Sequence, residues 1–243
     1  MLKLIQTEFM KLRRRRFVWL MLSAALFMPL FALSYFQHIG ETGIDSIQFY
    51  KWAAFSYTPW IILPVVLGML CTMLLYDEHQ YDVCKQLWIV PVHPMGYFFS
   101  KFAVVLFYAI LFMCITACAS VLAGSFSGCI VWDGNSALYL LKKCMEIGVL
   151  TAFAMLPVLA VAASQKGYIL PVCVTLIYTF LGFILLMVNM YLHPLSSTTA
   201  IVMGNVPGVV LSQELNRMAA LFCIGIWGVV STIAANIALS RRT

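Results

Sequence analysis

The chain has 243 residues, of which 63% are hydrophobic and only 10% charged, where a soluble domain carries roughly 25% charged residues. Water is therefore excluded as its main solvent, and the composition is that of an integral membrane protein. The formal net charge of +6 does not point to nucleic acid, because Lys and Arg gather in short segments beside apolar runs, not in a stripe on a polar domain.

Residues 1–16, MLKLIQTEFMKLRRRR, place Leu2, Ile5, Phe9 and Leu12 on one helical face, with Lys3, Gln6, Lys11 and Arg13 away from it. That is the pattern of an amphipathic helix lying in the membrane interface. Lys11, Arg13, Arg14, Arg15 and Arg16 form its basic, headgroup-facing part and hold this end in the cytoplasm. Residues 17–35 contain no charge and are long enough to cross roughly 30 Å of hydrocarbon. Ala32-Leu33-Ser34 looks like a signal-peptide cleavage site, but the apolar region exceeds the usual ~7–15 residues, which favours a retained first span. Pro29 should kink it, and a neighbouring helix can satisfy the carbonyl that proline leaves free.

Residues 37–58 carry Glu41, Asp45 and Lys51 among aromatics and fit an exterior connection, with Tyr50, Trp52, Tyr57 and Trp60 near the interface. The second span, residues 60–76, returns to the cytoplasm. Residues 77–97 are a polar and aromatic interruption between long apolar runs. Asp77 and Glu78 should open a short helix, where the positive end of the macrodipole favours carboxylates, and Pro91 should stop it. Val83, Leu87 and Val90 recur at helical spacing with Trp88 beside them, while Asp82, Lys85 and Gln86 point elsewhere. A short amphipathic helix of this kind suits a groove on a partner protein; a plain interhelical loop fits the same residues.

The third span covers residues 98–123, and residues 124–136 read as a Gly/Ser-rich outer loop. A fourth span is placed at residues 140–163, where Lys142, Lys143 and Glu146 interrupt the apolar pattern. Because a charge at the bilayer centre costs at least ~2.5 kcal/mol, residues 137–146 are assigned to an interfacial helix or the outer end of that span. Lys142 and Glu146 are spaced to pair as i and i+4; the three charges are also a candidate exit rim for a transported molecule. A short cytoplasmic turn at residues 164–167 leads into the fifth span, residues 168–191. Residues 193–216 are too interrupted by Pro194, Gly204, Pro207 and Gly208 for a membrane helix and too apolar for a solvated loop. A re-entrant pair of short outer helices reconciles the two, and an exterior loop with one surface helix is the alternative. The last span covers residues 218–239. With both termini inside, eleven Lys and Arg residues lie on the cytoplasmic side and four outside, as the positive-inside rule requires.

The chain lacks GxxxxGK[ST], HExxH, GxSxG and any metal-ligand spacing among its eight cysteines and four histidines, so neither catalysis nor a resident metal or cofactor is indicated. Apart from residues 142–146, the spans offer no acidic or basic group at mid-membrane for ion coupling, Lys101 standing at the cytoplasmic end of the third. Their apolar faces suit a hydrophobic or amphipathic substrate.

The basic opening helix (EFMKLRRRR), the six spans, the acidic-led segment YDEHQYDVCKQLWIVPVHP and the interrupted segment before the last span together resemble the ABC-2 type permease subunits of bacterial ATP-binding-cassette exporters. The size and the opening KLIQTEFMKLRRRR look most like the permeases of lantibiotic-immunity and bacitracin-resistance systems. The resemblance implies an all-α transmembrane domain over residues 1–243 in a bacterial plasma membrane, with a cytoplasmic coupling helix. It also implies a second permease subunit, identical or paralogous, and two cytoplasmic ATPase subunits that carry the ATP and Mg. Glu78 would match the family's acidic position after the second span. Asp82, Lys85, Gln86, Leu87 and Trp88 would form the coupling helix and Pro91 its closing proline. The family's usual Gly-Thr run is replaced here by Gln80-Tyr81-Asp82. The implied function is export of a hydrophobic or antimicrobial-peptide-like substrate; a non-transporting membrane anchor or sensor of a peptide-resistance complex is the alternative.

Overall fold

The computed structural model describes residues 2–39, 45–80, 94–126, 128, 130, 133–204, 206 and 215–240. Within them the chain is helical throughout: α1 (Leu2–Arg13), α2 (Arg16–Ser23), α3 (Phe27–His38), α4 (Ser46–Tyr50), α5 (Leu63–Gln80), α6 (Pro94–Phe126), α7 (Gly134–Ala154), α8 (Leu156–Ser164), α9 (Ile169–Val188), α10 (Pro194–Met203) and α11 (Arg217–Ser240). Six helical segments among the described residues are long and apolar enough to cross a membrane: Arg16–His38, Ser46–Glu78, Pro94–Phe126, Gly134–Ser164, Ile169–Val188 and Arg217–Ser240. Phe49, Phe55, Phe98, Phe112, Leu67 and Leu140 are among the fully buried side chains of one continuous apolar core.

Helix α1 turns its apolar edge onto α6. Leu12 is buried, and the Phe9 ring meets Phe107 edge-on at 5.0 Å, a favoured aromatic geometry. The chain bends at Arg14 and Arg15 into α2, and a 3-10 turn at Ala24–Leu26 joins α2 to α3. Pro29 accounts for that turn: it has no N–H to offer the carbonyl of Ala25, four residues back. The freed oxygen accepts instead from Thr116 Oγ1 of α6 at 3.3 Å. About two turns nearer the basic end, Tyr108 Oη of α6 donates to the carbonyl of Val18 at 3.1 Å.

The second span departs from its expected outline. Residues 46–62 are helical apart from a bend at Ser56, through α4 and two π-helical stretches at Lys51–Phe55 and Thr58–Ile62. Phe49, Tyr50, Ala53, Ala54 and Phe55 are buried, so most of the anticipated exterior connection belongs to the packed body. Of the aromatics expected near the interface, Tyr50 is buried and Trp60 packs against Phe183 at 5.6 Å, while Trp52 and Tyr57 are exposed; Phe49, in the same stretch, meets Phe36 at 5.6 Å.

Two glycines mark close helix approach, as small residues do where membrane helices pack. A Cβ on Gly68 of α5 would fall 2.0 Å from Thr175 Cγ2 of α9, and one on Gly148 of α7 would lie 3.0 Å from the Ala109 carbonyl oxygen of α6. The fourth span breaks at Met155, just before Pro157, into α7 and α8. Asp133 caps α7, its carboxylate accepting from the backbone N–H of Asn135 and Ser136; these bonds, with the Ser136 hydroxyl, hold its pKa below the ordinary carboxylate value.

Between the fifth and last spans, α10 replaces the surface helix weighed above with a buried one. All ten of its residues are buried, packed among α9, α11 and α7. The second half of the anticipated re-entrant pair lies outside the described residues.

Candidate functional site at the basic end of the bundle

Of the residues expected to form the coupling segment, Asp82, Lys85, Gln86, Leu87, Trp88 and Pro91 lie outside the described residues. Glu78 is described, and its setting corrects the local expectation. Helix α5 runs on to Gln80, so Asp77 and Glu78 occupy its C-terminal turn and do not open a new helix. There the macrodipole disfavours carboxylates, and cations from two other helices compensate.

The main cation is Lys101, the single charged residue of α6, about 10 Å along that helix from Pro94 at a rise of 1.5 Å per residue. Its ammonium, 1% exposed, donates to Glu78 Oε1 at 2.5 Å and to Glu8 Oε2 at 2.6 Å. The carbonyl of Leu74, at 3.4 Å, takes its third N–H, so all its donors are used. Lys11 of α1 donates to Glu78 Oε1 at 2.6 Å and to Glu8 Oε1 at 2.9 Å. Tyr97 donates its hydroxyl to Glu78 Oε2. Two carboxylates and two ammonium groups thus form a charge-balanced cluster joining α1, the end of α5 and the start of α6. A separate pair, Arg15 to Asp77 at 2.9 Å, ties the α1–α2 bend to α5. Burial alone would lower the Lys11 pKa, but the hydrogen bonds and charges of Glu78 and Glu8 outweigh it and raise the value.

Exposure is unequal across the cluster. The side chains of Glu8 and Glu78 are 4% and 5% exposed, while those of Lys11 and Arg15 are 48% and 45% exposed. The carboxylates lie behind and the cations in front. They border a cavity of about 300 Å³ between α1 and α5, lined also by Arg14, Leu12, Met73 and Leu74. On the other side of Leu12, Phe9, Trp19, Phe107 and Tyr108 line a smaller apolar crevice of about 150 Å³ with Arg13 at its edge. Arg16 lines neither cavity.

Glu8, Tyr97 and the central role of Lys101 were not evident from periodicity. The available signal was singularity: Glu8 is the only acidic residue among residues 1–16, and Lys101 the only charge between Lys85 and Asp133. At the opposite end, Lys143 rather than Lys142 pairs with Glu146, at 2.6 Å and with i, i+3 spacing. Lys142 is exposed. Of the three residues weighed as an exit rim, Lys143 and Glu146 thus form one local ion pair on α7, and Lys142 stands apart from it.

No curated protein matches the chain. The model of the ABC-2 family transporter proteins does, over residues 4–182, a stretch that runs from α1 into α9 and holds every member of the charged cluster. The chain belongs to the ABC-2 transporter family.

Proposed function

We propose that this membrane component of an ABC transporter is the permease of an exporter, and that the cluster of Glu8, Lys11, Glu78, Tyr97 and Lys101 is the joint through which force from separate ATPase subunits enters the spans. ATP and its Mg are bound by those subunits, and the permease works beside a second copy or a paralogue. The basic end faces the cytoplasm of a bacterial cell, with both termini there. The substrate is hydrophobic or antimicrobial-peptide-like, in keeping with apolar spans and the resemblance to lantibiotic-immunity and bacitracin-resistance permeases.

The observation that carries this reading is the position of the cluster. Residues 81–93, proposed as the surface that meets the ATPase, leave α5 two residues after Glu78 and rejoin the bundle at Pro94, three residues before Tyr97. Any displacement of that segment pulls on both flanks of the cluster at once, and through Glu8 and Lys11 on the interfacial helix. Glu78 itself is too buried to touch a partner; its role is to position the flanking helices. A buried ion cluster adds little stability over an apolar replacement of the same shape, so registry between the three helices is the better reason for its presence.

Co-expression with the cognate ATPase tests the reading. The permease should co-purify with it and should show ATP hydrolysis stimulated by substrate. A membrane anchor or sensor would give no substrate-driven turnover, and that result would refute the assignment.

A further inference from the structure

We propose that the cavity between α1 and α5 is a binding site for the phosphate headgroup of an anionic phospholipid, which sets how tightly the proposed joint is held. The site rests on the proposed function and deepens it, since Lys11 would serve both the lipid and the cluster, and Arg15 both the lipid and the adjoining pair with Asp77.

Three features of the cavity support this. First, the charge a ligand meets is positive, although the lining is nominally balanced. Lys11, Arg14 and Arg15 oppose Glu8, Asp77 and Glu78, but Glu8 and Glu78 are shielded behind the cations and are neutralised again from within by Lys101. Arg14 has no ion-pair partner among the described residues and is exposed. An anion with several acceptor oxygens can therefore engage Arg14 and share Lys11 and Arg15 without breaking a buried pair. Second, at about 30 Å³ per water the cavity of about 300 Å³ has room for about ten waters, enough for a phosphodiester and its nearest ester atoms. Third, the surroundings are those of a lipid. Leu12, Met73 and Leu74 supply apolar walls, the neighbouring crevice beyond Leu12 is apolar, and α1 is amphipathic, as interfacial helices are. A soluble phosphate would gain nothing from those walls.

Occupancy has a consequence for the joint. A phosphate drawing Lys11 and Arg15 toward the cavity weakens their hold on Glu78 and Asp77, while the Lys101 and Tyr97 contacts to Glu78 remain. The lipid would thereby loosen α1 from α5 without unlocking α5 from α6.

The test uses the purified full-length permease, without any ATPase, in micelles doped with equal amounts of phosphatidylglycerol and phosphatidylcholine, with bound lipid counted by native mass spectrometry. Phosphatidylglycerol should be retained preferentially, and Arg14→Gln and Arg15→Gln should each weaken its retention by about fivefold, the scale of one basic side chain at a membrane surface. Arg16→Gln, outside the cavity, should have a clearly smaller effect, and millimolar inorganic phosphate should not displace the lipid. Equal retention of the two lipids, an equal loss in Arg16→Gln, or displacement by inorganic phosphate would each overturn the proposal. Arg14 is exposed and has no ion pair among the described residues, so Arg14→Gln decides alone should Arg15→Gln not yield folded protein. Because no nucleotide enters the measurement, loss of ATPase coupling and loss of lipid binding are read separately.

Discussion

At the basic end of the bundle, Lys101, Lys11, Glu8 and Glu78 join three helices through ion pairs that reach across as many as 93 residues of sequence, whereas at the opposite end α10 is held by neutral groups. Ser196 donates to the Gly182 carbonyl at 2.6 Å and Ser197 to that of Met190 at 2.8 Å, while Thr198 and Thr199 return to carbonyls of their own helix. His193 caps α10, its Nδ1 accepting from the Leu195 N–H, and its ring packs on Tyr178 at 4.2 Å between centroids. The contrast separates two ways of fixing helices in a low-dielectric setting. Ion pairs there act strongly and jointly, so losing one partner strands the others. Hydroxyl-to-carbonyl bonds are individually modest and independent. The charged end ties three helices into one coupled unit, as the proposed joint requires, while the neutral end fixes α10 through separate bonds. The family match follows the same division, covering the cluster but ending at residue 182, before α10.

The largest expected effect comes from removing the centre of the cluster. Lys101→Met leaves the buried carboxylates of Glu8 and Glu78 sharing only the half-exposed Lys11, and should destabilise the folded permease by about 3–5 kcal/mol, read as a fall in melting temperature in detergent. The triple variant Lys101→Met, Glu8→Gln, Glu78→Gln should recover much of that loss, because no buried charge is then stranded and the half-exposed Lys11 can turn to water. A triple variant no more stable than the single would break the comparison. At the neutral end, Gly182→Val is the harshest change, since a Cβ there would lie 2.9 Å from Leu195 Cβ. It should cost about 1–3 kcal/mol by overpacking, again seen as a lower melting temperature.

Acidification should act chiefly through His193. Burial lowers its pKa from 6.5 to about 4, so as pH falls below 6.5 the unfolded chain takes up the proton first. The stability that depends on a neutral His193 is complete above that pH and is lost progressively as pH falls toward 4. Melting curves across this window should show the loss, and His193→Gln should flatten it. The smallest effects belong to the second charged pair. Lys142→Gln should leave stability within about 0.5 kcal/mol, as for an unencumbered surface site. Lys143→Gln, which strips Glu146 of its partner, should exceed it; the reverse order would restore Lys142 as the residue that matters.

Much of the architecture was legible because apolar length and breaker residues act locally. The opening helix, the break in the first span ahead of Pro29 and the short turn after Ser164 all follow from neighbouring letters. Residues 46–62 did not, because Lys51 and the aromatics have the same composition whether they line an interface or a core; burial of Phe49 and Phe55 depends on distant helices. The stretch that forms α10 left a re-entrant and a surface helix both open; its Ser and Thr hydroxyls bond to carbonyls, which lets such residues enter an apolar interior. In the charged site, Glu78 stood out from sequence, while its partners did not: no spacing rule links positions 8, 11, 78 and 101 before the helices are packed. Lys142 was preferred to Lys143 for Glu146 because i, i+4 and i, i+3 pairs are equally allowed on an ideal helix.

The central claim concerns transmission through the cluster, and transport per ATP hydrolysed tests it most directly. In membranes reconstituted with the cognate ATPase, Glu78→Gln should still insert and still bind the ATPase. Substrate moved per ATP should nonetheless fall at least about tenfold, a barrier change of roughly 1.4 kcal/mol. An unchanged ratio, with ATPase binding intact, would contradict the account and reduce the cluster to a structural clasp.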